Sequence, residues 1–228
     1  MELPTLKVER LYRQISNVLI GCIKNGQFAP GEMIPSERDL SKQFGVSRSS
    51  IREALIALEI TGWIEIRTGN GVYVNNPLSE QPATPSEEGF SLESLLKARQ
   101  IFECTTAELA ALNGTDEQRR KLAEINQSLV QLNINNDSFL EEDRRFHLMI
   151  SEMTGNEVLR DMMEYLWDKR SSRRFVRLER HYSESDFARE MNTDHQGITD
   201  AILAGDAIKA RAAMQAHLQH VYDQLLEG

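Results

Sequence analysis

Residues 35–74 read PSERDLSKQFGVSRSSIREALIALEITGWIEIRTGNGVYV. Ser36 stands before Glu-Arg-Asp, so a hydroxyl is placed to cap a helix with a carboxylate three residues on, close to a capping box. Gly45 ends that helix, Val46 makes the turn, and Ser47 caps a second helix reaching about Thr61. In the second helix Ile51, Ala54, Leu55 and Leu58 recur at helical spacing and must face a core. Gly62 stops it. Trp63–Arg67 then alternates as a short strand, Thr68-Gly-Asn-Gly71 turns, and Val72–Val74 forms a second strand, which makes a β-hairpin.

Upstream, the periodicity predicts a helix over about Val8–Asn25, with Leu11, Ile15, Val18, Leu19, Cys22 and Ile23 on one stripe. GQFAPGEMIP (26–35) is broken by glycine and proline and cannot be helical. Three helices followed by a hairpin is the order of a winged helix-turn-helix. Downstream, NNPLSEQPATPSEEGFS has three prolines and little apolar content and reads as a linker. Every later segment reads as helix: about 91–113, 116–133, 136–154, 156–178, 184–204 and 206–226, with breaks such as Gly155-Asn156 and Gly205-Asp206. The expected fold class is mainly α: an N-terminal winged helix-turn-helix (α+β, 1–76), a linker (77–91) and an all-α helical bundle (92–228).

The net charge of −9 first argues against a nucleic-acid partner. Splitting the chain reverses that inference. Residues 1–79 carry 9 Lys+Arg and 8 Asp+Glu, or +1, which leaves 17 basic and 27 acidic residues, or −10, for the remainder. A near-neutral front end can offer DNA a local basic face while the acidic body is repelled by it. With 40% hydrophobic and 27% charged residues the composition is that of a folded globular protein. There is no run of 18 apolar residues, and MELPTLKVER has no apolar signal core, so no membrane partner and a cytoplasmic location are expected. Cys22 and Cys104 sit alone in apolar-periodic segments and read as buried free thiols.

The second helix of a helix-turn-helix lays its N-terminal residues against base edges in the major groove. Here those residues are Ser47-Arg48-Ser49-Ser50-Ile51-Arg52. Arg48 and Arg52, four apart, share a face that the apolar pattern places off the core. Arginine suits bidentate recognition of guanine, and small hydroxyls suit phosphates or base edges. Arg38 can reach the backbone, and the tip Gly69-Asn70-Gly71 is small enough to enter a minor groove. Any one of these residues also occurs on ordinary solvent-exposed helices; the whole package does not. From PSERDLSKQFGVSRSS to the hairpin, the chain resembles the DNA-binding domain of GntR-type regulators over roughly 8–76. The resemblance implies that Arg38, Arg48 and Arg52 are DNA-contacting arginines, that Ser47, Ser49 and Ser50 supply hydroxyl contacts, and that Gly71 is the wing-tip glycine.

All five histidines lie after residue 146. Asp143 and His147 are four apart and point the same way from one helix. His195 lies in another helix, and His217 and His220 in the last. An Asp with two or three His drawn from three helices can hold a divalent first-row ion; the bland alternative is a set of hydrogen-bonded or surface histidines. DRRFHLMISEMTGN, DHQGITDAI and MQAHLQHV resemble the ligand segments of the C-terminal FCD domain in the FadR-type branch of that family. The resemblance implies Asp143, His147, His195 and His217 as metal ligands, with His217 preferred over His220 because it precedes the leucine of a His-Leu pair. Zinc is the leading ion, with nickel and manganese as alternatives. It further implies a small carboxylate effector held near the ion, with Arg99 of KARQIFE and Arg170 as its binding arginines. For Arg99 the competing reading is an exposed i,i+4 pair with Glu103. The Arg10-Leu-Tyr-Arg and Leu-Trp-Asp-Lys-Arg170-Ser runs resemble hexuronate-responsive members.

The expected function is a sequence-specific DNA-binding regulator, a repressor, that acts as a homodimer on a palindromic operator. Two other classes compete: an architectural DNA-binding protein without effector, and a metal-dependent hydrolase carrying a DNA-binding appendage. The sequence offers no recognisable acid or base for hydrolysis, and an effect of small molecules on operator affinity separates the first alternative.

Overall fold

The computed structural model describes residues 10–76, 91–132, 137–170, 175–177 and 187–226. It divides into two compact units, Met1–Gly89 and Phe90–Gly228. In the first, α1 (Leu11–Lys24), α2 (Glu37–Phe44) and α3 (Arg48–Ile60) precede β1 (Ile64–Arg67) and β2 (Gly71–Val74). The second contains only helices among its described elements: α4 (Leu92–Asn113), α5 (Asp116–Gln131), α6 (Asp137–Glu152), α7 (Glu157–Arg170), α8 (Phe187–Leu203) and α9 (Ala207–Leu226). Most of the expected linker lies outside the described residues, as do His181 and the start expected for the helix before His195. No helix among the described residues is long and apolar enough to cross a membrane.

Local chemistry explains the N-terminal unit. Ser36 accepts a hydrogen bond from the Asp39 amide, and Ser47 accepts one from the Ser50 amide, so two side chains cap the two helices of the motif. Gly45 adopts φ 67° at the end of α2, the left-handed conformation that lets the chain turn at once into α3. Ile51, Ala54, Leu55 and Leu58 are all buried, as their spacing requires. The α1 stripe differs from its sequence reading. It runs through Tyr12, Ile15, Ser16, Leu19, Ile20 and Ile23, while Leu11 and Val18 are half-exposed. The face centre is rotated because Ser16, a polar residue, is accepted there: its hydroxyl donates to the Tyr12 and Ala54 carbonyls and ties α1 to α3. Cys22 is correspondingly only partly buried, whereas Cys104 is buried.

The hairpin pairs antiparallel with Ile64 opposite Val74 and Arg67 opposite Gly71. Residues 31–34 extend it on the other edge of β2, where the Gly31 and Ile34 amides donate to the Val74 and Val72 carbonyls. The segment read as a helix breaker therefore protects a strand edge.

In the second unit α4 lies along α9, and α5, α6 and α8 close around one core that includes Ala107, Leu122, Phe146, Ile150, Ile198 and Met214. Thr115 and Gln118 form a full capping box at the start of α5. Arg119 donates to the Ala111, Gly114 and Ile202 carbonyls, which satisfies carbonyls at two helix ends.

Candidate functional site

At the front of α3, the Ser47 hydroxyl lies 2.9 Å from both the Ser49 and Ser50 hydroxyls. Arg48 and Arg38 are exposed, Ser47 is exposed, Ser50 is half-buried and Ser49 is buried. Arg52 departs from its sequence reading. Its side chain is 3% exposed and its Nε donates to Glu37 Oε2 at 3.0 Å, across from α3 to α2. Arg52 is thus placed between the two helices of the motif, not on the outer face with Arg48. The apolar pattern within α3 carries no sign of this, because the partner carboxylate comes from another helix. Gly71 is exposed at φ +104°, and a Cβ there would stand 3.0 Å from Met33 Sδ. Its backbone conformation favours glycine, while the exposed Met33 side chain can give way to a Cβ. Beside it, Arg67 stacks on Tyr73 with Cζ 4.4 Å from the ring centre, and the Tyr73 hydroxyl donates to the Asn70 carbonyl.

The second unit brings Asp143 and His147 of α6, His195 of α8 and His217 of α9 together, all fully buried. Ring nitrogens of the three histidines lie within 4.8 Å of one another. Asp143 Oδ1 is 3.1 Å from His195 Nε2 and 3.5 Å from His147 Nε2. Yet Asp143 Oδ1 and both Nε2 atoms make no hydrogen bond of proper geometry among the described residues. Buried polar atoms left so call for a partner. Four ligand atoms about 2.1 Å from a tetrahedral ion would be about 3.4 Å apart, so the donor set and its spacing fit a divalent metal. His220 is half-exposed, with Nδ1 2.8 Å from Asp194 Oδ2, outside the cluster.

Five neighbours complete the site. Arg99 and Arg170 flank Trp167, their guanidinium carbons 4.7 and 4.5 Å from its ring centre. Arg170 Nη2 also lies 3.4 Å from Asp143 Oδ2. Arg99 does pair with Glu103, Nε to Oε1 at 2.6 Å, but the pair is buried, not exposed. Glu103 Oε2 in turn abuts His147 Nδ1. Neither Glu103 nor Asp194, whose Oδ2 is 3.6 Å from His217 Nδ1, stood out as a site residue in the sequence. Adjacency to Arg99 by one helical turn and to His195 by one residue were the available signals.

The charges are mutually held. Burial alone would raise the Asp143 carboxyl, but His147, His195 and Arg170 hold it well below the ordinary range. Glu103, against the same penalty of burial, is held down to about 2 by Arg99 and His147. Burial pushes the His217 imidazole down to about 3, with the other imidazoles adding to the effect. His147, despite its burial, is raised by Glu103 and Asp143.

Comparison with known proteins matches residues 11–74 to the bacterial regulatory proteins of the gntR family and residues 94–220 to the FCD domain. The Uxu operon regulator of Haemophilus influenzae is 36% identical over 225 residues, 96% of this chain and 84% of its own length. The chain belongs to the GntR family. Within it, the FCD domain places this regulator in the FadR-type branch. The Exu regulon transcriptional regulator of Escherichia coli K12 is another relative, 32% identical over 215 residues, with 92% of this chain and 83% of that protein covered. In fold, the chain is similar to E. coli McbR/YncC at a TM-score of 0.54 and 22% identity, covering 96% and 99% of the two chains. The chain is a DNA-binding transcription regulator and not an enzyme.

Proposed function

We propose that this GntR regulator represses an operator whose occupancy is set by a small carboxylate effector, a hexuronate, bound beside a divalent metal in the second unit. Residues 1–76 bind DNA, 77–91 link, and 92–228 hold effector and dimer contacts in a cytoplasmic homodimer on a palindromic site. Arg38, Arg48, Ser47, Ser50 and Gly71 face DNA, and Ser49 and Arg52 support the reading helix from beneath. Asp143, His147, His195 and His217 hold the ion, zinc first and nickel or manganese as alternatives. A bound ion supplies a fixed positive charge that attracts a carboxylate. Arg99 and Arg170, on either side of Trp167, add charged donors for the same ligand.

The observation that carries this reading is the buried cluster of one aspartate and three histidines with unsatisfied nitrogens, set against two buried arginines. Relatives named for the Uxu operon and Exu regulon support a sugar acid as the ligand class. To regulate, the effector must bind the DNA-competent and DNA-incompetent arrangements with different affinity. The test is operator binding by zinc-loaded protein, titrated at constant salt with glucuronate and galacturonate. At least tenfold weaker binding to DNA with one of them is expected. Unchanged affinity with both would remove the hexuronate assignment.

A further inference from the structure

Glu103 is fully buried on α4, yet it belongs to neither ligand set. Its two oxygens are used separately: Oε1 accepts from Arg99 Nε, and Oε2 abuts Nδ1 of His147. The other nitrogen of the same imidazole, Nε2, faces Asp143. We infer that Glu103 is the positioning residue of the metal site, fixing His147 as the tautomer that can bind an ion and anchoring Arg99 with the same carboxylate. This rests on reading the aspartate and three histidines as a metal site.

The chemistry is one of donors and acceptors. Both ring nitrogens face carboxylates, Nδ1 that of Glu103 and Nε2 that of Asp143. When an ion takes the Nε2 lone pair, the one remaining proton is on Nδ1, and the ionised Glu103 carboxylate is the acceptor placed to receive it. Nε2 is the nitrogen aimed at the cluster. Ligand imidazoles commonly donate their other N–H to a carboxylate, which orients the ring and strengthens the ligand. Arg99 shares the arrangement because arginine has five donors and Glu103 takes only the one on Nε, so the terminal nitrogens are not spent on this contact. The substitution Glu103→Gln keeps the shape but offers one acceptor and one donor. Arg99 can only donate, so the amide oxygen turns to it and the NH2 group faces His147. Nδ1 must then accept, the remaining proton is on Nε2, and the ligand atom is blocked.

Zinc is the probe, measured on the full-length chain by competition with a chromophoric chelator, with nitrogen-15 NMR of the imidazoles as second readout. Native protein is expected to bind zinc with His147 protonated at Nδ1. Glu103→Gln is expected to bind zinc about 10–100-fold more weakly and, without metal, to lose the Nδ1 proton of His147 while keeping the one on Nε2 toward Asp143, with its helical circular dichroism retained. A variant with native zinc affinity and tautomer would overturn the role of Glu103 while leaving the metal site standing. Absence of zinc binding by the native chain would overturn the metal reading and this inference with it. If the variant does not fold, Glu103→Asp decides: it keeps the charge but draws the carboxylate back from Nδ1, so zinc binding weakened about tenfold supports the assignment, and native affinity refutes it.

Discussion

Arg48 and Arg52 look equivalent in the sequence and differ in the structure. Arg48 is exposed at the first turn of the reading helix, whereas Arg52 is buried against Glu37. Arg48→Ala is therefore expected to weaken operator binding by about 1–3 kcal/mol, with the melting temperature unchanged. Affinity unchanged at equal salt would displace Arg48 from the base-reading role. Arg99 illustrates the same ambiguity from the other side. An Arg and a Glu one turn apart look identical on an exposed or a buried face, so the sequence could weigh the pair but not its burial. Only packing of α4 on both sides reveals it. Because Arg99→Ala would leave Glu103 charged and buried, Arg99→Lys is the cleaner variant: the charge stays and the planar fork is lost. Operator binding should persist in that variant while the response to effector falls at least tenfold. A full response would free Arg99 from the effector site.

Elements were the most legible level. Caps at Ser36 and Ser47, the stop at Gly45, and alternation around Gly69-Asn70 announced two helices and a hairpin, because each rests on contacts only a few residues apart. Pairing of residues 31–34 with β2 was not legible, since it depends on a partner about forty residues away. The same limit hid the clamp from α3 to α2. Arg52→Ala removes a partner of Glu37, whose side chain is 18% exposed, and should cost about 1–3 kcal/mol after allowing for that exposure. Thermal melts of the N-terminal mutants check this. A native melting temperature for Arg52→Ala would leave Arg52 available as a DNA contact alone.

Across the whole molecule, charge separates the two ends of the chain, and the histidines gather in the half that carries the acidity. The four ligand candidates were legible through their motif segments, but their convergence needed the fold of α6, α8 and α9. In metal-stripped protein the cluster should make stability depend on pH. His217 titrates near 3 when folded and near 6.5 when unfolded, so its contribution is complete above 6.5 and lost as pH falls toward 3, by about 1.4 kcal/mol per unit. Glu103 adds a further loss between 4.5 and about 2. His147 acts oppositely: its contribution is complete below 6.5 and lost as pH rises through its raised value. Denaturant melts of the stripped protein from pH 7 to 4 should show the acid-side loss; a flat profile would contradict the buried neutral His217. Zinc should reduce this sensitivity near neutrality, because a metal that binds only the folded chain stabilises it, until protons displace it from the imidazoles. Elemental analysis of carefully purified protein tests the centre of the account most directly. The expected result is about one divalent ion per chain in the native protein and none in His195→Ala/His217→Ala. Native protein without metal, and with no shift in melting temperature on adding zinc, nickel or manganese, would contradict it.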